Sequence, residues 1–259
     1  MGQPDVTLVV PAFKEGTAIV PTLARIAASV RSAFEVVVVV DFVEDPTVVV
    51  VEELGASDPR FRIEVNTYGR GPGYAIKYGM DVATAPVVVV TMADGSDSVE
   101  VVDEMVRRVR GGAAVVSGSR YMRGGSQTGG PLVKGVLSRA AGLSLHWFAR
   151  VGTHDATNSF KAYDTAFLRS VGVESMQGFE LGLELVAKAH RLRLRIDEVP
   201  THWRDRSEGE SNFQVRRWLP FYLSWYAYAY GRRLSVDDVR GASQRKTFLT
   251  KQLSRMEKS

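Results

Sequence analysis

The chain has 259 residues, 45% apolar and 24% charged, enough to bury a large core as one enlarged α/β domain. Its net charge of +4 and isoelectric point near 9.3 permit anionic partners such as nucleotides, phosphates or a lipid surface, without pointing to nucleic acid. The absence of cysteine excludes disulfides and thiolate metal sites, and is compatible with a reducing cytoplasm.

Residues 6–10 (VTLVV) read as a strand ended by Pro11, and 17–30 as a helix with Pro21 near its first turn. A buried strand over 34–40 leads to Asp41-Phe42-Val43-Glu44-Asp45-Pro46-Thr47, and a helix over 47–54 follows despite its valines. A third strand, 61–65, precedes the glycine-rich loop Gly69-Arg70-Gly71-Pro72-Gly73 and a helix over 74–85. The run Val87-Val88-Val89-Val90 is a strand buried on both faces, and it delivers Met92-Ala93-Asp94-Gly95-Ser96-Asp97 to its carboxyl end. A helix over 99–110 and a strand over 113–117 complete a strand–helix alternation that predicts a mostly parallel, doubly wound sheet.

Beyond residue 120 the character changes. Residues 121–130 (YMRGGSQTGG) read as a mobile, lid-like loop, 131–149 as a helix, and 152–163 as a polar crossing. A helix over 178–188 carries Glu180 and Glu184 one turn apart, and 192–199 alternates Arg with apolar residues as a half-exposed strand. The tail from 235 onward is polar.

Open α/β sheets bind ligands at the carboxyl ends of their strands. Asp41, Asp45, Asp94 and Asp97 all fall at such ends, so they should face one crevice, where like charges need a cation or hydrogen-bond donors to offset them. Hard oxygen ligands there suit Mg²⁺ or Mn²⁺ carrying phosphates. Taken singly, Asp94 and Asp97 also suit helix capping, as does Asp45 before Pro46-Thr47. A dinucleotide-binding reading fails, because Pro-Ala-Phe-Lys-Glu-Gly follows the first strand where Gly-x-Gly-x-x-Gly is required. The four histidines show no zinc-ligand spacing.

The order VVPAFKEG, VVVVVDFVEDPT, GRGPGYAIKYGM and VVVVTMADGSDSVE resembles the family 2 glycosyltransferases. The later segments GSRYMRGG, VKGVLSRAAG, HDATNSFKAY, GFELGLELVAKA and RIDEVPTHWRDR resemble their polyprenyl-phosphate sugar transferase branch, of the dolichyl-phosphate mannose synthase type. The resemblance runs from about residue 5 to about 215 and implies a GT-A fold, a doubly wound, Rossmann-like sheet flanked by helices. Residues 1–215 would then form the catalytic domain, and 216–259 an aromatic and basic helical segment with a polar tail. The resemblance implies roles for single residues. Pro11, Ala12 and Glu15 would touch the nucleotide, with Asp41 helping to hold the base. Gly71 and Gly73 in the glycine-rich loop, and Asp45 after the second strand, are counted with them as candidate donor contacts. Asp94 matches the last carboxylate of the Asp-x-Asp metal motif. Arg120, Lys134, Ser138 and Arg139 match the phosphate-holding region, and Asp155, Asn158, Ser159 and Lys161 the segment lining the sugar. Val40 and Met92 depart from the family by replacing the first aspartate of two motifs, so Asp97 is the candidate substitute metal ligand.

The resemblance implies inverting transfer of a sugar from a UDP- or GDP-linked donor with Mg²⁺ or Mn²⁺. A lipid-phosphate acceptor would need little general-base help and would be docked by cations, including Arg120 and Arg206. A hydroxyl acceptor would need a base, for which Asp155 is the first choice, with Glu180 a further pocket residue. Val40 and Met92 also motivate a third reading, a silent sugar-nucleotide binding module. Residues 1–10 lack the features of a secretory signal, and no apolar run reaches the roughly 18 residues a membrane span needs. The expected location is therefore cytoplasmic, with peripheral contact at the inner membrane face left open. The aromatic segment 218–230, flanked by arginine pairs, suits an interfacial helix, a helix covering the sheet, or a homodimer contact.

Overall fold

The computed structural model describes residues 2–130, 132–176, 178–205 and 215–240, with the side chains of 132–134 and 215–218 outside that description. Seven strands form the central sheet: β1 (Val6–Pro11), β2 (Phe34–Val40), β3 (Phe61–Val65), β4 (Val87–Val90), β5 (Val115–Ser119), β7 (Lys161–Asp164) and β8 (Ile196–Pro200). Their order is β3-β2-β1-β4-β7-β5-β8, with every pairing parallel except those of β7. The valine runs explain the middle of the sheet. Val36 to Val40 and Val87 to Val90 are buried, as they must be when helices cover both faces.

One face is covered by α1 (Val20–Ser29), α2 (Thr47–Ser57) and α4 (Val102–Arg110), through Leu23, Ile26, Val51, Val102 and Met105. The other is covered by α3 (Pro72–Val82), α6 (Thr165–Val171), α7 (Leu181–Arg191) and α8 (Val215–Ala229), through Ile76, Met80, Phe167, Leu185 and Trp225. The chain winds outward from β1 to β3, then returns to lay β4 on the other side of β1. That reversal opens the crevice of a doubly wound sheet beyond the ends of β1, β2 and β4.

Two sequence expectations change. The polar crossing ends in β7, which enters the sheet antiparallel between β4 and β5, so Lys161 pairs with both Val90 and Ser117. Its brevity and its charged first residue hide it from a hydrophobicity pattern. The expected lid contains β6 (Ser126–Thr128), paired in parallel with β9 (His202–Arg204), so its backbone is committed to a ladder. The aromatic α8 lays Trp225 and Ala229 into the core while leaving Phe221 and Leu223 exposed. The helix α5 (Leu132–Ser144) continues into a π-helical turn at Leu145–Ala149.

Candidate active site

The loop after β1 is held from beneath. Asp45 is buried, and its carboxylate accepts from the backbone N–H of Lys14 at 2.8 Å and of Thr47 at 2.9 Å. The Thr47 hydroxyl accepts from the N–H groups of Glu15 and Gly16, both at 3.1 Å. These bonds fix a turn in which Lys14 and Gly16 take positive φ angles of 57° and 52°. Asp45 thus shapes the loop from beneath, its carboxylate engaged by backbone N–H groups. Ala12 is buried and donates its N–H to the Val39 carbonyl at 2.9 Å, whereas Pro11 and Glu15 stay half-buried at the crevice.

Asp41, at the end of β2, is half-buried. It accepts from Asn66 Nδ2 at 3.1 Å and from the Gly71 N–H at 2.8 Å, tying the glycine-rich loop to the crevice. Gly71 needs its glycine, with φ at 121°. At Gly73 a β-carbon would lie 2.6 Å from the Met176 carbonyl carbon, so this glycine serves close packing. Phe13 stands 51% exposed, edge-on to Phe42 with ring centroids 6.0 Å apart.

The carboxylate turn after β4 separates its two acids. Asp94 is exposed and accepts the Ser96 N–H at 3.0 Å. Asp97 is 3% exposed and accepts from the Thr91 hydroxyl at 3.1 Å and the Met92 N–H at 3.0 Å. Burial pushes its carboxyl up to about 6; the charge of Asp94 adds to this, while the two donors and Arg120 oppose it. The turn is clamped from α1. The Thr22 hydroxyl donates to the Ala93 carbonyl at 2.8 Å, and Arg25 donates to the carbonyls of Gly95 and Asp97. Neither residue announces this in sequence, because the contact spans some seventy positions.

Beyond β5 lies a second centre. Asp155 is fully buried, and its carboxylate accepts from Arg120 Nε at 2.7 Å, Arg120 Nη2 at 2.9 Å and the Arg120 backbone N–H at 3.1 Å. Burial works against the guanidinium charge, but Asp155 more than offsets it and holds Arg120 above its ordinary value. Asp155 is therefore a support for Arg120, its carboxylate engaged in a buried, bidentate pair. Arg120 Nη2 also donates to Ser138 Oγ at 3.0 Å, which in turn meets the hydroxyls of Tyr121 and Thr157. Arg139 is exposed, with its guanidinium 5.9 Å from the Tyr121 ring centre. Lys134 lies on α5 by its backbone, and Arg206 falls outside the described residues.

Below this pair, Asn158 is buried and donates to the Gly118 carbonyl at 2.7 Å. Lys161 is wholly buried, donates to the Asn158 carbonyl, and is lowered to about 7 by burial, against the pull of Asp155 and Asp97. It lies within the sheet, on β7 between β4 and β5. Ser159 is half-buried, and Glu180 is buried at the start of α7. Tyr222 of α8 feels the charges of both Glu180 and Arg120, and burial, then Glu180, raises its phenol. The aromatic pattern of its helix does not single out Tyr222, because the contact with Glu180 and Arg120 joins distant segments. Glu184, one turn on from Glu180, is buried and pairs with Lys188 at 2.6 Å.

The exposed Asp94 at the switch point and the half-buried Arg120 at the end of β5 sit on a sheet of GT-A type. Glucosyl-3-phosphoglycerate synthase from Mycobacterium tuberculosis, solved with Mn²⁺, uridine diphosphate and phosphoglyceric acid, shares this fold. The TM-score is 0.63 at 18% identity, over 90% of this chain and 80% of that one. Residues 7–172 match the model for glycosyl transferase family 2, and the chain belongs to that family of sugar-transferring enzymes. It is similar to polyprenol monophosphomannose synthase of Mycolicibacterium smegmatis, 29% identical over 71% of this chain and 75% of that protein. It is also similar to undecaprenyl-phosphate mannosyltransferase of Micrococcus luteus, 28% identical over 80% of this chain and 86% of that protein.

Proposed function

We propose that this enzyme moves a sugar from a nucleoside-diphosphate donor to a polyprenyl phosphate at the cytoplasmic face of a membrane, inverting the anomeric centre. The observation that carries the acceptor class is the Arg120–Asp155 pair. The carboxylate best placed by motif to act as a base is spent on a guanidinium, and a phosphate acceptor needs an arginine more than a base. The names of both mannosyl-transferring relatives support the same class. No helix among the described residues is long and apolar enough to cross a membrane, so the lipid would be met from the surface.

The donor would lie across the switch point, with its base near Phe13, Asp41 and the loop that Asp45 holds. The residues present fit a divalent cation, since Asp94 offers an exposed oxygen donor and Asp97 is a neighbouring acid whose ionisation positive charge would favour. Mg²⁺ or Mn²⁺ held there would neutralise the charge that grows on the departing diphosphate. Asp155 and Ser138 occupy Nε and Nη2 of Arg120, so the guanidinium would meet the acceptor phosphate through Nη1, held in orientation by those partners.

Radiolabelled UDP- and GDP-hexoses, offered with Mg²⁺ or Mn²⁺ and either a short polyprenyl phosphate or hydroxyl acceptors, test this reading. Label should enter the lipid phosphate with inverted configuration. Transfer to hydroxyl acceptors alone would overturn the acceptor class, and donor binding without transfer or hydrolysis would reduce the chain to a binding module.

A further inference from the structure

A second anion site lies at the other end of the sheet. Val115, at the start of β5, pairs with Ile196 at the start of β8, whereas Arg120 follows the end of β5. Five residues of strand separate the two ends, roughly 16 Å. Beside Ile196 is a cavity of about 510 Å³ whose lining includes Arg150, His190, Arg191, Arg193 and Arg233 and, among the described residues, no carboxylate.

The helices that converge here supply a competing explanation for so many cations. The π-helical turn after α5 ends at Ala149, α7 at Arg191 and α8 at Ala229. Each helix C-terminus carries roughly half a negative charge, so three account for about 1.5 of the four positive charges. Arg191 meets part of that demand, donating to the Arg232 carbonyl at 2.8 Å and stacking 4.3 Å over Tyr228. Arg150, Arg193 and Arg233 make no hydrogen bond or ion pair with a carboxylate among the described residues. The surplus is felt locally: burial first, then Arg193 and Arg191, hold the His190 imidazole below its ordinary value.

Arg150 and Arg193 both have φ of 59°, a conformation that usually selects glycine. Arg193 closes α7, where Leu194 N–H reaches the Ala189 carbonyl and Arg193 N–H the His190 carbonyl, both at 3.0 Å. The chain places a guanidinium at two positions where a side chain is disfavoured, and both line the same cavity. At its rim Phe148 is 79% exposed and the neighbouring Trp147 is 69% exposed. Aromatic residues open to solvent beside unpaired arginines match the interface of an anionic bilayer, where rings enter the headgroup layer and arginines meet phosphate.

We infer that the cavity lined by Arg150, Arg193 and Arg233 binds the phosphate of an anionic phospholipid headgroup, with Trp147 and Phe148 entering the bilayer interface. This site is separate from the acceptor phosphate at Arg120. It docks the enzyme on its membrane and takes no part in sugar transfer.

Co-sedimentation of the full chain with vesicles of phosphatidylcholine alone, or of phosphatidylcholine with phosphatidylglycerol, tests the inference. The wild type should pellet with the anionic vesicles and remain largely in solution with the neutral ones. Replacing Arg150→Gly together with Arg193→Gly removes two charges at positions glycine fits, so the melting temperature should hold or rise. Affinity for anionic vesicles should fall tenfold or more, since each basic residue near such a surface contributes roughly fivefold. Trp147→Ser with Phe148→Ser should weaken binding to the same vesicles. Equal pelleting of wild type and the double glycine variant would overturn the inference, as would equal binding of wild type to both vesicle types. Titration with inorganic phosphate separates the sources. Saturation by phosphate, lost in the glycine variant, without preference for anionic vesicles would make this a site for a soluble anion and overturn the lipid assignment. Transfer to a short polyprenyl phosphate in detergent should be unchanged in the glycine variant. Absence of turnover in the wild type would instead count against the sugar-transfer reading and leave the vesicle result standing.

Discussion

Two buried aspartates meet the same problem in opposite ways. Asp155, fully buried, is matched by a bidentate arginine. Asp97, 3% exposed, has only a hydroxyl and one backbone N–H, and burial pushes it up to about 6. Both lie close to Arg120, yet only one is neutralised by it. A carboxylate paired within the chain is a finished structural part. One left without its own cation is a place where positive charge from outside can bind, and it is the one next to the exposed Asp94.

The comparison can be broken at the paired end first. Asp155→Ala leaves the Arg120 guanidinium buried without its partner, and should cost about 3–5 kcal/mol in urea unfolding. A loss below 1 kcal/mol would show that the pair is not the clamp described here. At the unpaired end, Asp94→Ala should leave the fold intact but lower metal-dependent sugar transfer by about a hundred- to a thousandfold. Unchanged donor affinity with and without Mn²⁺ in calorimetry would remove Asp94 as a ligand.

Titration sharpens the contrast further. Asp97 binds its proton more tightly folded than unfolded, so stability should be greatest below its ordinary value of 3.8 and decline as pH rises to about 6. The full decline corresponds to about 3 kcal/mol, and Asp97→Asn should abolish it. Saturating Mn²⁺ should restore stability at pH 7 in the wild type. Lys161 acts in the opposite sense. Its folded value of about 7 lies below the ordinary 10.5, so its contribution is lost as pH falls through 7 and recovers as pH rises toward 10.5. Lys161→Met should flatten that alkaline recovery. Urea midpoints across the pH range, for wild type and both variants, measure the two slopes.

The smallest effect is expected at Asp45. Asp45→Ala removes the acceptor for two backbone N–H groups and should cost about 1–2 kcal/mol, with a raised KM for the sugar nucleotide. An unchanged KM would mean the loop after β1 does not contact the donor.

Much of the fold was legible because its signals are local. Four consecutive valines mark a strand buried on both faces, and an acid just past it marks the crevice of an α/β sheet. The same reasoning failed for β7, whose four residues begin with a buried lysine, and it could not show that Asp45, Asp155 and Lys161 have partners within the fold. A motif tells where a carboxylate falls along the chain, but not whether another segment has already supplied its partner.

The sequence by itself therefore determined the strand–helix rhythm, the crevice and the family, since these rest on periodicity and on motifs read over a few residues. Tertiary structure alone decided which charges are free. Arg120 meets Asp155 across 35 positions, Arg25 reaches the Asp97 turn across 72, and Arg150 and Arg193 converge on one cavity from different helix ends. Ionisation depends on burial and on the nearest opposite charge, and both are properties of the packed chain rather than of its order.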